Sequence, residues 1–158
     1  MALRIGQGLD AHRLVPGRPC VLGGVTVDSD SGPDGHSDGD VVLHALADAL
    51  LGAAAAGDLG GMFGESRPEW KDAPSFRFVE EVLVRTGRPR VLNVDVTVLG
   101  LRPRLGPYRE AIRLRIAELL GIGIGQVSVK ASSGNGLTDF GRGDGVAASV
   151  VLLAEIGS

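Results

Sequence analysis

Asp10 and His12 stand two residues apart near the start of the chain. In a strand, positions i and i+2 project from one face, so Asp-x-His sets a carboxylate beside an imidazole. That pair is either half of a metal site or a polar strand end. A second feature is the run Asp40–Gly57, DVVLHALADALLGAAAAG, which is apolar on nearly every side of a helix. Its exceptions, Asp40, His44 and Asp48, fall at i, i+4 and i+8 in single file. Surface helices normally carry a broad polar face, and this stripe is too narrow for one. Periodicity leaves His44 open as a ligand or as a core histidine satisfied by Asp48. If Asp10, His12 and His44 converge, one carboxylate and two imidazoles make a ligand set suited to Zn²⁺, with a fourth position open. Asp48 could then orient His44 from behind.

The loop before that helix, Gly35-His36-Ser37-Asp38-Gly39-Asp40, combines glycines, an imidazole, a hydroxyl and a nearby helix N-terminus. These are the parts of an anion cradle. Asp28, Asp30 and Asp34 invite an EF-hand reading, which fails because Gly39 occupies the position of the bidentate glutamate. The chain has neither a Walker A lysine motif nor Gly-x-Gly-x-x-Gly, so a nucleotide must be held by other means. Two glycine-containing segments after expected strands are candidates: Gly100-Leu101-Arg102-Pro103-Arg104-Leu105-Gly106 and Ala131-Ser132-Ser133-Gly134-Asn135-Gly136. Each pattern also suits an ordinary turn.

Strands are expected at Leu3–His12, Cys20–Val27, Asn93–Leu99, Val127–Ser132 and Val146–Ile156. Val94, Val96 and Val98 alternate with Asn93, Asp95 and Thr97, the mark of a half-buried strand. Helices are expected from Asp40 to Ala56, from Ser75 to Thr86 and from Pro107 to Leu120, each followed closely by glycine. Asp28–Gly39, Asp58–Ala73 and Ser133–Gly145 read as loops. The order implies an α/β (α+β) fold, a mixed four- to five-stranded sheet with helices on one face.

With 158 residues, one domain spanning 1–158 is expected. Glycine reaches 25 residues, about twice the usual share of ~7%. Aromatics are only 4%, so the core must be aliphatic and thin, which favours an oligomer. A net charge of −3 offers no footprint for nucleic acid or for acidic membranes. Cys20 is the single cysteine, a small buried hydrophobe by expectation. No apolar run reaches the ~20 residues of a membrane span, and the charged opening segment reads as cytoplasmic.

Together these segments resemble the 2-C-methyl-D-erythritol 2,4-cyclodiphosphate synthase family. The likeness runs from Gly-x-Gly-x-Asp-x-His at Gly6–His12 through GHSDGDVVLHALADALLGA at Gly35–Ala53. It continues in Gly57-Asp58-Leu59-Gly60, Asn93-Val94-Asp95-Val96, Pro103-Arg104-Leu105, Val129-Lys130-Ala131 and Gly141-Arg142-Gly143-Asp144-Gly145. The resemblance implies a homotrimer with active sites between subunits, and Zn²⁺ on Asp10, His12 and His44. It gives His36 and Ser37 to substrate phosphate and the methylerythritol part, and makes His36 and Ser133 the catalytic donors. Asp58, Leu59 and Gly60 would line the same pocket, with Phe63, Gly64, Glu65, Ser66 and Arg67. Gly100–Gly106 and Ala131–Asn135, with Phe140, would hold the cytidine diphosphate portion from the adjoining subunit. A second divalent ion, Mg²⁺ or Mn²⁺, would bridge the substrate phosphates. Arg142 would face an isoprenoid diphosphate at the trimer axis, or tie subunits together through Asp144.

The chain departs from the family in places. Asn135 stands where a glutamate usually contacts the second ion, and Asp139 is the nearest substitute. Phe140 lies one place later than the family's phenylalanine, and Arg67 replaces a common acidic residue. Two rival readings are a zinc phosphoesterase that activates water and a metal-stabilised protein without catalysis.

Overall fold

A long first strand organises the molecule. The computed structural model describes residues 1–64 and 67–157. In it β1 (Ala2–Pro16) runs well past the expected end at His12. It pairs antiparallel with β7 (Gly145–Ile156) from Ala2↔Ile156 to Arg13↔Gly145. β5 (Arg90–Leu99) lies antiparallel on the other side of β7, and β6 (Val127–Ser132) is parallel to β5. The short β4 (Ser31–Pro33) extends β1 at the outer edge, giving the order β4-β1-β7-β5-β6. The sheet is mixed and five-stranded, as the pattern implied.

Several expectations fail for local reasons. Cys20–Val27 is not one extended piece but a hairpin of β2 (Cys20–Leu22) and β3 (Val25–Val27), outside the main sheet. Gly23 and Gly24 both take positive φ, +61° and +75°, which is the two-residue turn that suits a hairpin's twist. β4 interrupts the expected loop Asp28–Gly39, because its backbone groups pair with Leu14–Pro16 of β1 without any alternation to show it. β5 begins three residues before Asn93. A register shift between Val91 and Asn93 inserts one residue and hides the alternation there.

α1 (Val41–Ala53) is the central helix, shorter than the run to Ala56. Asp40 caps it, accepting from Val42 N (3.1 Å) and Leu43 N (3.0 Å). The same carboxylate takes Gly23 N (2.8 Å) and Gly24 N (2.7 Å), tying the hairpin to the helix. Burial pushes Asp40 up to about 6, against backbone N–H bonds that favour the anion. α2 (Leu59–Phe63) and a 3₁₀ turn at Pro68–Trp70 occupy the expected loop Asp58–Ala73. α3 (Phe76–Arg85) packs across α1, and α4 (Arg109–Leu120) leans on β6. Gly121 ends α4 in the left-handed conformation. α5 (Thr138–Arg142) is one short turn within the expected loop Ser133–Gly145.

One continuous aliphatic core joins α1, α3 and α4 to Val94, Val96, Val98, Val150 and Leu152. The opposite side of the sheet differs. Leu3, Ile5 and Leu9 of β1 and Val151 of β7 are exposed there.

Candidate metal centre and its cleft

Asp10 and His12 meet His44 because β1 lets α1 approach closely. Gly6 and Gly8 share the Asp10/His12 face of the strand. A Cβ on Gly6 would lie 1.8 Å from Ala49 O, and one on Gly8 would lie 1.9 Å from Ala45 O. No side chain fits there, so the helix backbone rests directly on the strand. His44, one turn beyond the Asp40 cap, is thereby set against Asp10 and His12.

Asp10 Oδ2 is the hub of the cluster. It lies 3.1 Å from His12 Nε2 and 3.2 Å from His44 Nδ1. One ligand atom from each residue falls within 4.8 Å of the others. Burial alone would raise the Asp10 pKa, but its contacts with His12 and His44 outweigh this and hold it at about 2. The carboxylate beside His12 raises that imidazole's pKa, despite its burial.

A divalent cation suits these groups. His12 Nε2 is buried and lacks any directed hydrogen bond, although Asp10 is close. Tetrahedral zinc with bonds of ~2.0–2.1 Å places its ligand atoms ~3.3 Å apart, near the two spacings observed. Asp10 is ionised at all ordinary pH values, as a ligand must be.

A cleft of about 360 Å³ opens on the trio, lined by His36, Ser37, Leu59, Gly60, Phe63, Gly64, Trp70 and Phe78. Phe63, Trp70 and Phe78 form a mutually packed aromatic wall, with ring centroids 4.6–5.2 Å apart. Trp70 and Phe78 are absent from the sequence-based site. Phe78 reads as a core position of an amphipathic helix, and Trp70 lies in an aperiodic stretch. His36 is exposed, its Nε2 3.1 Å from Arg67 O. Ser37 is buried, its Oγ 3.1 Å from His44 Nε2. Asp58 points instead to the start of α2, accepting from Gly61 N at 2.7 Å. Glu65 and Ser66 lie outside the described residues.

Asp48 does not support His44. It accepts from Leu59 N at 2.8 Å and thus fixes α2. The nearer of the two hydroxyls at His44 Nε2 is Ser75 Oγ, at 2.8 Å, from a residue far away in sequence.

The expected nucleotide segments sit elsewhere. Because β5 and β6 are parallel, with Leu99 beside Ser132, their following loops leave the sheet at one end. Gly100 N donates to Ser132 O, and Leu101 N donates to Phe140 O, both at 2.9 Å. These bonds knit Gly100–Gly106, Ala131–Asn135 and α5 together. No residue of Gly100–Gly106 or Ala131–Asn135 lines the cleft around the trio. Ser133 Oγ accepts from Asn135 N at 3.2 Å, and Asn135 takes φ +53°, a conformation asparagine tolerates. Asp139 is paired with Arg142, whose Nε lies 4.0 Å from Asp144.

A mixed sheet, a helix seated on paired glycines and an Asp–His–His cluster at an aromatic-walled cleft define an α+β protein with a candidate metal centre. The chain belongs to the YgbB family, whose model matches residues 3–155. It is 53% identical over 153 residues to the 2-C-methyl-D-erythritol 2,4-cyclodiphosphate synthase of Moorella thermoacetica, covering 96% of this chain and 94% of that protein. Its fold matches the bifunctional IspDF of Campylobacter jejuni with a TM-score of 0.92 and 31% identity, over 99% of this chain and 43% of that one. A CDP-bound 2C-methyl-D-erythritol-2,4-cyclodiphosphate synthase matches with a TM-score of 0.84 and 35% identity, over 96% of this chain and all of that one.

Proposed function

We propose that this chain, as a single domain, converts 4-diphosphocytidyl-2-C-methyl-D-erythritol 2-phosphate to 2-C-methyl-D-erythritol 2,4-cyclodiphosphate with release of CMP. This is a step of non-mevalonate isoprenoid biosynthesis. The observation that carries the reading is the convergence of Asp10, His12 and His44 at the cleft, in a chain 53% identical to a protein named for that synthase.

In the reaction an oxygen of the 2-phosphate attacks the β-phosphorus, and the bond from that phosphorus to the oxygen bridging to the α-phosphate breaks. CMP leaves with that oxygen. The nucleophile is already anionic at neutral pH, so the protein's task is to bend the substrate and offset charge. Asp10, His12 and His44 would hold Zn²⁺, whose Lewis acidity would offset charge on the substrate's diphosphate. His36, at the rim, and Ser37 orient the methylerythritol phosphate. Phe63, Trp70 and Phe78 give the carbon skeleton an apolar wall and exclude water. Ser133 donates to the phosphoryl oxygens as negative charge develops.

A homotrimer fits both the site and the surface. Leu3, Ile5, Leu9 and Val151 form an exposed apolar patch on the face away from the helices, which a second subunit would cover. An adjoining subunit would bring Gly100–Gly106, Ala131–Asn135 and Phe140 to the cleft, where they take the cytidine diphosphate. A second ion, Mg²⁺ or Mn²⁺, would rest mainly on substrate phosphates and water, since the neutral Asn135 amide is a poor ligand for it. Arg142 would either meet an isoprenoid diphosphate at the trimer axis or, through Asp144, tie subunits together. No helix is long and apolar enough to cross a membrane among the described residues, and a cytoplasmic location accords with this.

Phosphorus NMR of the protein with this substrate, Zn²⁺ and Mg²⁺ tests the reading. CMP together with a cyclic diphosphate is expected. Orthophosphate would instead indicate a phosphoesterase, and an unchanged spectrum from folded, zinc-loaded protein would overturn catalysis.

A further inference from the structure

Ser75 stands immediately before α3, where a serine ordinarily accepts an N–H from the helix's first turn. Here the side chain makes no such bond. With φ −67° and ψ −17°, Ser75 is already helical, and its hydroxyl turns inward, nearly fully buried. It meets two partners: Asp38 Oδ1, in a short hydrogen bond, and His44 Nε2 at 2.8 Å. Asp38 also accepts from Ser75 N at 2.9 Å through Oδ2 and from Asp40 N at 3.0 Å through Oδ1. The loop that precedes α1 is thereby clamped to the one that precedes α3.

The chain of bonds has a direction. An ionised carboxylate only accepts, so the Ser75 hydroxyl proton goes to Asp38. The Ser75 lone pairs then face His44, and the bond at 2.8 Å requires the proton on Nε2. That leaves the Nδ1 lone pair aimed towards Asp10 and His12, the side on which a cation would sit. Ser37 Oγ also approaches Nε2, at 3.1 Å, but its other bond, from Gly39 N at 3.4 Å, is long. With Ser75 serving Nε2, the Ser37 hydroxyl remains free to turn to a substrate.

We propose that Asp38 and Ser75 are positioning residues that fix the tautomer and ring orientation of His44, making its Nδ1 a metal ligand. The inference rests on the metal-site reading above. Partners of this kind typically carry 10–100-fold in metal affinity.

The test is Zn²⁺ titration against a competing chelator, with the substrate absent, joined to ¹H–¹⁵N NMR of the His44 ring in zinc-loaded protein. The wild type is expected to bind Zn²⁺ and to show a slowly exchanging Nε2–H proton. Ser75→Ala should bind ~10–100-fold more weakly and lose the slow exchange. Asp38→Asn should shift affinity in the same direction. Wild-type affinity in both variants would overturn the proposal. So would zinc-loaded wild type with no proton on His44 Nε2, a result that needs no variant to fold. Wild type that binds no Zn²⁺ would overturn the metal-site reading itself, and this inference with it.

Discussion

The two halves of the expected active site are built differently within one chain. Around Asp10, His12 and His44, backbone lies on backbone, and Asp10 and Ser75 approach His44 at its two ring nitrogens, at 3.2 and 2.8 Å. Around Ser133 and Asn135 the side chains are exposed, and the loops bond mainly to one another. The first half is organised before any ligand arrives. The second presents donors at a surface and lines no part of the cleft around the trio. Close packing therefore fixes the candidate metal centre, while assembly would fix nucleotide recognition.

Removing a member of the trio should have the largest effect. His44→Ala is expected to lower CMP release by ~10²–10³-fold, the worth of one preorganised group opposite a developing charge. A phosphorus NMR time course measures it, and near-normal turnover would detach the trio from the reaction. Next comes the glycine contact that brings β1 and α1 together. Gly8→Ala should destabilise by ~3 kcal/mol, because its methyl would collide with Ala45 O and the helix must move. Thermal unfolding checks this, and an unshifted midpoint would mean that α1 yields easily.

On the exposed half, Ser133→Ala should cost ~10-fold in kcat with little change in unfolding temperature, the loss of one hydrogen bond to a charged group. Ser133→Thr should retain activity. A large fall in stability would show that Ser133 is structural, contrary to the contrast drawn here. A further effect concerns pH. Asp10 has a folded pKa near 2, below its ordinary 3.8, so in metal-free protein it stabilises the fold above about pH 4. That contribution is lost as the pH falls through 2. Asp10→Asn should therefore narrow the stability difference between pH 5 and pH 2, read from denaturant midpoints. An unchanged difference would separate Asp10 from its histidine neighbours.

The sequence by itself determined which residues could form the trio. Asp10 and His12 share a strand face by the period of two, and His44 interrupts an otherwise apolar helix. Such periods are properties of neighbouring residues, so β6 and α4 were also legible, the latter ending at Gly121. The site's support was not, because its partners are separated in sequence. Asp48, one turn from His44, looked like its partner, but the packing of α2 took that carboxylate for Leu59 N. Ser75, 31 residues on from His44, reached the ring instead, and Asp38 reached Ser75 across 37 residues. The Gly23–Gly24 hairpin and β4 were likewise set by their partners, the Asp40 carboxylate and β1. Local patterning determined which groups can react; only tertiary packing, which pays no regard to sequence distance, decided what holds each one in place.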